Sequence, residues 1–159
     1  MKEVFNIIGA GGHAIVIADI IQCCENEVWA FYDVKPLTDN LLGIPVIQMV
    51  GSSFKSDHLL FVGVGNNEIR QRIASEHLNR KFGKVIHPSA QISTYARIDD
   101  GTVVMPGVSV NAKAEIGRHC IINTNASVDH ECMLGDFVHI SPNASLCGNV
   151  QIGEGAHIG

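Results

Sequence analysis

The stretch INTNASVDHECMLGDFVHI, residues 122–140, carries an aliphatic residue at every sixth position: Ile122, Val128, Leu134 and Ile140. The step continues in both directions. Upstream it runs through Ile86, Ile92, Ile98, Val104, Val110 and Ile116, and downstream through Leu146, Ile152 and Ile158. All 13 positions are aliphatic. If a quarter of positions were aliphatic by chance, such a run would arise on the order of once in ten million. A second series lies four residues on and holds small residues throughout: Ala90, Ala96, Thr102, Val108, Ala114, Cys120, Ala126, Cys132, Val138, Ala144, Val150 and Ala156. Neither the 3.6-residue period of a helix nor the 2-residue period of an ordinary strand produces this pattern.

A six-residue repeat with one inward aliphatic and one small corner residue is the signature of a hexapeptide β-helix. Three hexads close one triangular coil of 18 residues, so the 12 hexads of residues 86–157 make four coils. The aliphatic ladder fills the interior, and each coil hydrogen-bonds to the coils above and below it. The sequence thus predicts a β-helix domain over residues 86–159 and a different domain over residues 1–85.

The N-terminal part reads as α/β. Val4–Ile8 is a short apolar strand that runs into Gly9-Ala10-Gly11-Gly12-His13-Ala14, followed by helix-length apolar content over Ile15–Cys24. Val28–Tyr32 is a second strand ending at Asp33. Leu59–Val64 is a third, followed by Gly65-Asn66-Asn67. Glu68–Leu78 has the spacing of an amphipathic helix, with Ile69, Ile73 and Leu78 inward and Arg70, Arg72 and Glu76 toward water. Asn66 or Asn67 supplies its N-cap. Strand, glycine turn, helix and strand together form a Rossmann-like half-domain, and Asn79–Lys84 is the junction.

Composition narrows the partners. Hydrophobic residues make up 46% of the 159 positions and charged residues 17%, enough for a core. A formal charge of −5 and the absence of a basic run argue against nucleic-acid binding. No apolar stretch has the length of a membrane span, and Met1-Lys2-Glu3 does not open a signal peptide, which points to the cytoplasm. Five cysteines, with no C-x-x-C pair, argue against a disulfide framework or a thiolate zinc site.

Gly9-x-Gly11-x-x-Ala14 fits the dinucleotide fingerprint, with Asp33 placed to meet ribose hydroxyls. Three readings stand: a whole NAD, the phosphates or sugar of some nucleotide, or simply a tight strand-to-helix turn. His13 within that turn is either a donor to phosphate or a sugar hydroxyl, or an idle turn residue. In the repeat, His130 and Glu131 fall on a corner and point away from the core. A histidine beside a carboxylate is the minimum equipment of a general base. His139 lies outward on the face opposite that corner, one coil from His157. His130 and His139 therefore share a pocket only across a subunit boundary. The spacings of His119, His130, His139 and His157 do not fit a β-helix zinc site.

Taken in order, GAGGHA, Asp33, VGVGNNEIR (62–70), IHPSA (86–90), INTNASVDHE (122–131) and GDFVHISPNASLCGNV (135–150) resemble the family of sialic acid O-acetyltransferases and nucleotide-4-amino-sugar N-acetyltransferases. The resemblance spans essentially the whole chain. It implies a left-handed β-helix, a homotrimer, and acetyl-CoA held in the cleft between subunits, with no metal. It implies that His130 is the general base, that Glu131 raises its basicity, and that His139 contacts acetyl-CoA. It assigns Gly11, Gly12, His13, Asp33 and Gly65 to the nucleotide-sugar, with Asn123 near the sugar. Family members continue for a further coil and a cap, so the chain reads as truncated after Ile158. The expected activity is N-acetylation of a nucleotide-linked 4-amino-sugar. The alternatives are O-acetylation of sialic acid or a related sugar, and an inactive sugar-nucleotide-binding subunit.

Overall fold

The computed structural model describes residues 2–50, 54–55 and 57–159. Contacts within the chain divide it into two compact units, Met1–Gly83 and Lys84–Gly159. Among the described residues, no helix is long and apolar enough to cross a membrane.

The first unit follows the order β1 (Val4–Ile8), α1 (Gly12–Cys23), β2 (Glu27–Asp33), β3 (Asn40–Leu41), β4 (Ile44–Gln48), β5 (Leu59–Val62) and α2 (Asn67–Ser75). The sheet order is β3-β4-β2-β1-β5, parallel except for the β3–β4 pair. Parallel strands are covered on both faces and so read as unbroken apolar runs. Phe5, Ile7, Phe31, Leu60 and Phe61 are accordingly at most 1% exposed, and α1 buries Ala14, Ile17, Ala18, Ile20 and Ile21. Strands β3 and β4 carry no recognisable strand pattern. The first has two residues, and the second contains Pro45, which weakens any strand pattern.

Helix α2 is turned the other way from its apolar spacing. Arg70 is 1% exposed and Ala74 is buried, whereas Ile69 is 41% and Leu78 is 78% exposed. The cause lies in the turn before it. The Arg70 guanidinium donates to the Val64 and Gly65 carbonyls, both at 3.1 Å, and to Asn67 Oδ1 at 2.8 Å, so its charge is buried with acceptors. Asn66 caps the helix, its side chain accepting from the Ile69 amide at 3.0 Å.

The second unit is a parallel β-helix of two-residue strands on three faces. The first face stacks Val85–Ile86, Val103–Val104, Ile121–Ile122, His139–Ile140 and His157–Ile158. The second begins at Gln91–Ile92 and the third at Arg97–Ile98, each with four strands. The six-residue ladder points inward. Val104, Ile122, Val128 and Ile140 are fully buried, and the small series packs among them, with Ala114, Cys120, Cys132 and Val138 also at 0%. Strand amides donate to the following coil, as Ile121 does to the Val138 carbonyl at 2.8 Å.

The corners reverse this direction. Lys113, His119, Asn125, Glu131, Phe137, Asn143 and Asn149, six residues apart, all hold φ between 55° and 61°. Their amides point back to the preceding coil, as Glu131 does to the Ala112 carbonyl at 3.1 Å. A left-handed backbone costs a side-chain-bearing residue roughly 1–2 kcal/mol, and the returned hydrogen bond offsets it.

Depth along the ladder sets the energetic weight of each rung. Ile122→Ala, inside the stack, is expected to cost about 2–5 kcal/mol in urea unfolding. Ile92→Ala, only partly buried against the same core, is expected to cost about 1 kcal/mol. Equal losses would contradict the packing described.

Candidate active site

Three groups of side chains carry chemistry. The first surrounds the glycine turn. Gly9 leaves β1 at φ +105°, and the next amide, that of Ala10, donates to Asp33 Oδ2 at 3.1 Å, while Lys35 N donates to Oδ1 at 2.9 Å. The carboxylate at the end of β2 thus ties two loops together. Asp33 also lines a cavity of about 430 Å³ with Tyr32, Arg72 and Glu76. Its apolar wall comes from Val34, Met49, Ile69 and Ile73, which explains why the apolar stripe of α2 faces outward. Ile8, Gly9 and Val64 complete the lining, whereas Gly11, Gly12, His13 and Gly65 are not part of it.

Helix α1 starts at Gly12, and its N-cap Gly11 supplies no side-chain hydrogen bond. No N-cap side chain therefore occupies its first amides, in contrast to the capped α2. His13 stands in this first turn with its Nε2 buried and without a hydrogen-bond partner. Burial, and then the Arg70 guanidinium, push its pKa down to about 4. It is a neutral, partly buried imidazole. Gly65 abuts it, since a Cβ there would lie 3.9 Å from His13 Cγ.

The second group occupies the corner between the second and third faces of the β-helix. His130 Nδ1 lies 3.3 Å from Glu131 Oε2, both side chains being about half exposed. The hydrogen bond with His130, and then Lys113 at 3.4 Å from Oε1, hold the Glu131 carboxyl below its usual range. Asp129 is likewise held low by Asn111 Nδ2, 2.7 Å away, and by the His130 amide. The corner is thus fixed by the coil beneath it. Above, Gly148 leaves room for the ring: a Cβ there would lie 2.5 Å from His130 Cε1 and Nε2. Lys113, Asn111 and Gly148 escape the sequence reading, although Lys113 lies 18 residues from Glu131 and Gly148 lies 18 residues from His130.

The third group is on the first face. Asn123 Oδ1 accepts from the Thr124 amide at 2.8 Å, which turns its Nδ2 toward His139 Nε2 at 3.1 Å. An amide nitrogen only donates, so His139 Nε2 accepts. The His139 ring stacks on His157, centroids 4.3 Å apart, and His157 Nε2 meets Ser141 Oγ at 2.8 Å. Asn123 and His139 are therefore brought together, while His130 lies on a different side of the same prism. Among the described residues, no group of three His, Cys, Asp or Glu side chains could hold a metal ion.

The depressed pKa of His13 has a measurable consequence. Its folded value of about 4 lies below the ordinary 6.5, so the unfolded chain binds the proton more readily between them. The stability it contributes is complete above pH 6.5 and is lost as pH falls through 4. An NMR titration of the His13 ring is expected to show a midpoint near 4; a midpoint at 6.5 or above would contradict the burial.

Residues 5–77 match the family model of the PglD N-terminal domain. Among curated proteins compared by sequence, none matches. Among solved structures, a histidine-to-asparagine mutant of perosamine N-acetyltransferase from Caulobacter crescentus, in complex with CoA and GDP-perosamine, is 37% identical with a TM-score of 0.88. That match covers 99% of this chain and 77% of the other. The acetyltransferase domain of PglB from Neisseria gonorrhoeae FA1090, in complex with acetyl coenzyme A, is 35% identical over 99% of this chain and 79% of its own, with a TM-score of 0.87. WeeI from Acinetobacter baumannii AYE shares the fold at 20% identity and a TM-score of 0.80, over 94% of this chain and 74% of its own. The β-helix here is the left-handed one of such acetyltransferases. A Rossmann-like α/β half followed by that helix, matched along its whole length at such identity, belongs to the family of sialic acid O-acetyltransferases and nucleotide-4-amino-sugar N-acetyltransferases.

Proposed function

We propose that this chain transfers the acetyl group of acetyl-CoA to the amine of a nucleotide-linked 4-amino-sugar. The observation that carries the reading is the whole-chain match to an N-acetyltransferase complexed with CoA and GDP-perosamine. It is joined by a histidine–carboxylate pair in this chain with base geometry. An N-acetyltransferase match favours an amine over a hydroxyl as acceptor.

His130 acts as the general base. The ionised Glu131 carboxylate only accepts, so His130 Nδ1 carries the proton and Nε2 keeps its lone pair. The sugar amine attacks the thioester carbonyl and gives its proton to Nε2. The tetrahedral intermediate then collapses, the C–S bond breaks, and the imidazolium returns the proton to the departing CoA thiolate. On the α/β half, the uncapped start of α1 at Gly11 and Gly12 favours the diphosphate. The Asp33 cavity accepts the nucleoside, and the neutral His13 and Gly65 border the sugar-phosphate. On the β-helix, His139 contacts acetyl-CoA and Asn123 lies near the sugar.

The His130 corner and the His139 face belong to different sides of one prism. They line a common cleft when a neighbouring subunit supplies one of them, and three-fold closure of triangular prisms does this. The active form is accordingly a homotrimer, working in the cytoplasm on soluble substrates.

His130→Ala is expected to leave the circular dichroism spectrum unchanged and to lower kcat by roughly 10²–10⁴. Glu131→Ala is expected to cost less. Steady-state assays with UDP-, GDP- and dTDP-linked 4-amino-sugars, set against free sialic acid, test base and acceptor together. Normal turnover by His130→Ala, or a preference for sialic acid, would overturn the reading. Sedimentation equilibrium at micromolar concentration is expected to give three times the chain mass, and a stable monomer or dimer would remove the shared cleft.

A further inference from the structure

Among the fully buried side chains, Arg70 is the most voluminous, and it carries a charge. Burying a guanidinium is tolerated only where its donors find acceptors. Here all the acceptors named above come from one short turn after β5: the carbonyls of Val64 and Gly65 and the side chain of Asn67. One rigid, planar group therefore bridges three points of a four-residue segment, which a flexible ammonium could not do. That segment bears Gly65, which abuts His13 in the uncapped first turn of α1. The turn after β1 and the turn after β5 thus meet at the carboxyl ends of neighbouring parallel strands, where open α/β sheets bind ligands.

We propose that Arg70 is a positioning residue for the nucleotide-sugar site, its guanidinium fixing the Val64–Asn67 turn and thereby the placement of Gly65 against His13. The inference rests on the nucleotide-sugar reading given above. Arg70 itself is turned inward and does not contact the substrate. Its buried charge also acts on His13, and the same field favours a diphosphate at the start of α1.

Two substitutions separate the fork from the charge. Arg70→Lys keeps the cation but loses the three-point bridge, and Arg70→Met loses both. The probes are UDP, GDP and dTDP, titrated calorimetrically into the full chain alongside acetyl-CoA. Both folded variants are expected to bind the preferred nucleoside diphosphate about tenfold more weakly or worse, with Arg70→Met the weaker. Acetyl-CoA affinity is expected to stay within about twofold. In turnover, the KM for nucleotide-sugar is expected to rise while kcat at saturation changes by less than about threefold. By NMR, the His13 midpoint is expected to rise in Arg70→Met and to stay low in Arg70→Lys, a response that a purely structural role would not produce.

Wild-type nucleotide affinity in the folded variants would overturn the inference, and so would a parallel loss of acetyl-CoA affinity. Failure of both variants to fold would overturn it as well, by making the guanidinium a folding element. If the wild-type chain binds none of the three diphosphates, the nucleotide-sugar reading fails, and the inference fails with it.

Discussion

The hydrogen bond between a strand amide and the carbonyl of the next coil is the interaction on which the second unit depends. It repeats only if every coil has the same length, which is why the aliphatic positions keep step from Ile86 to Ile158. It also explains the corners. A chain whose strand amides all point one way must turn an amide back at each bend, and the left-handed residues from Lys113 to Asn149 do so. Glu131 is one of them. The residue that accepts from the His130 ring is thus held at a backbone pivot and not on a free loop.

Two histidines show how environment divides one side chain into two roles. His13 is partly buried beside a guanidinium and keeps a neutral ring at ordinary pH, fit to donate or accept but not to carry charge. His130 stands half exposed against an ionised carboxylate, which in the proposed reaction leaves the Nε2 lone pair for the amine proton. The two helices of the α/β half make a parallel contrast. Asn66 closes the start of α2, while Gly11 leaves the start of α1 open. Of these two helix starts, the one without a side-chain cap carries His13.

The β-helix was legible because each hexad announces its inward position by itself, with no need for a distant partner. Strand β1 and the glycine turn were legible for the same local reason. Helix α2 was not. Ile69 and Ile73 have the spacing of a core stripe, but they line a cavity, and a periodicity in sequence does not distinguish a cavity wall from a core. Arg70 reads as a water-facing charge until its acceptors in the preceding turn are known. The proximity of Asn123 and His139 was hidden because their contact depends on strand register, not on neighbouring sequence. His130, Glu131 and His139 stood out through their places in the repeat, and the resemblance to a family implied their roles, whereas the groups that support them did not stand out.

Gly148 makes room for the His130 ring, and Gly101 does the same for His119, each one coil away from the imidazole it accommodates. In the same column as Gly101 and His119, Phe137 lays its ring flat on the imidazole, centroids 5.1 Å apart, so that the sequence behaves as a page of 18-letter lines in which vertical neighbours are spelled together. A corner imidazole fits such a page only where the same column of a neighbouring line vanishes, as at Gly148, or stacks flat on it, as Phe137 does on His119. Inherited variation in this half of the chain should accordingly travel in vertical pairs, and an insertion that is not a whole line would scramble every column beyond it.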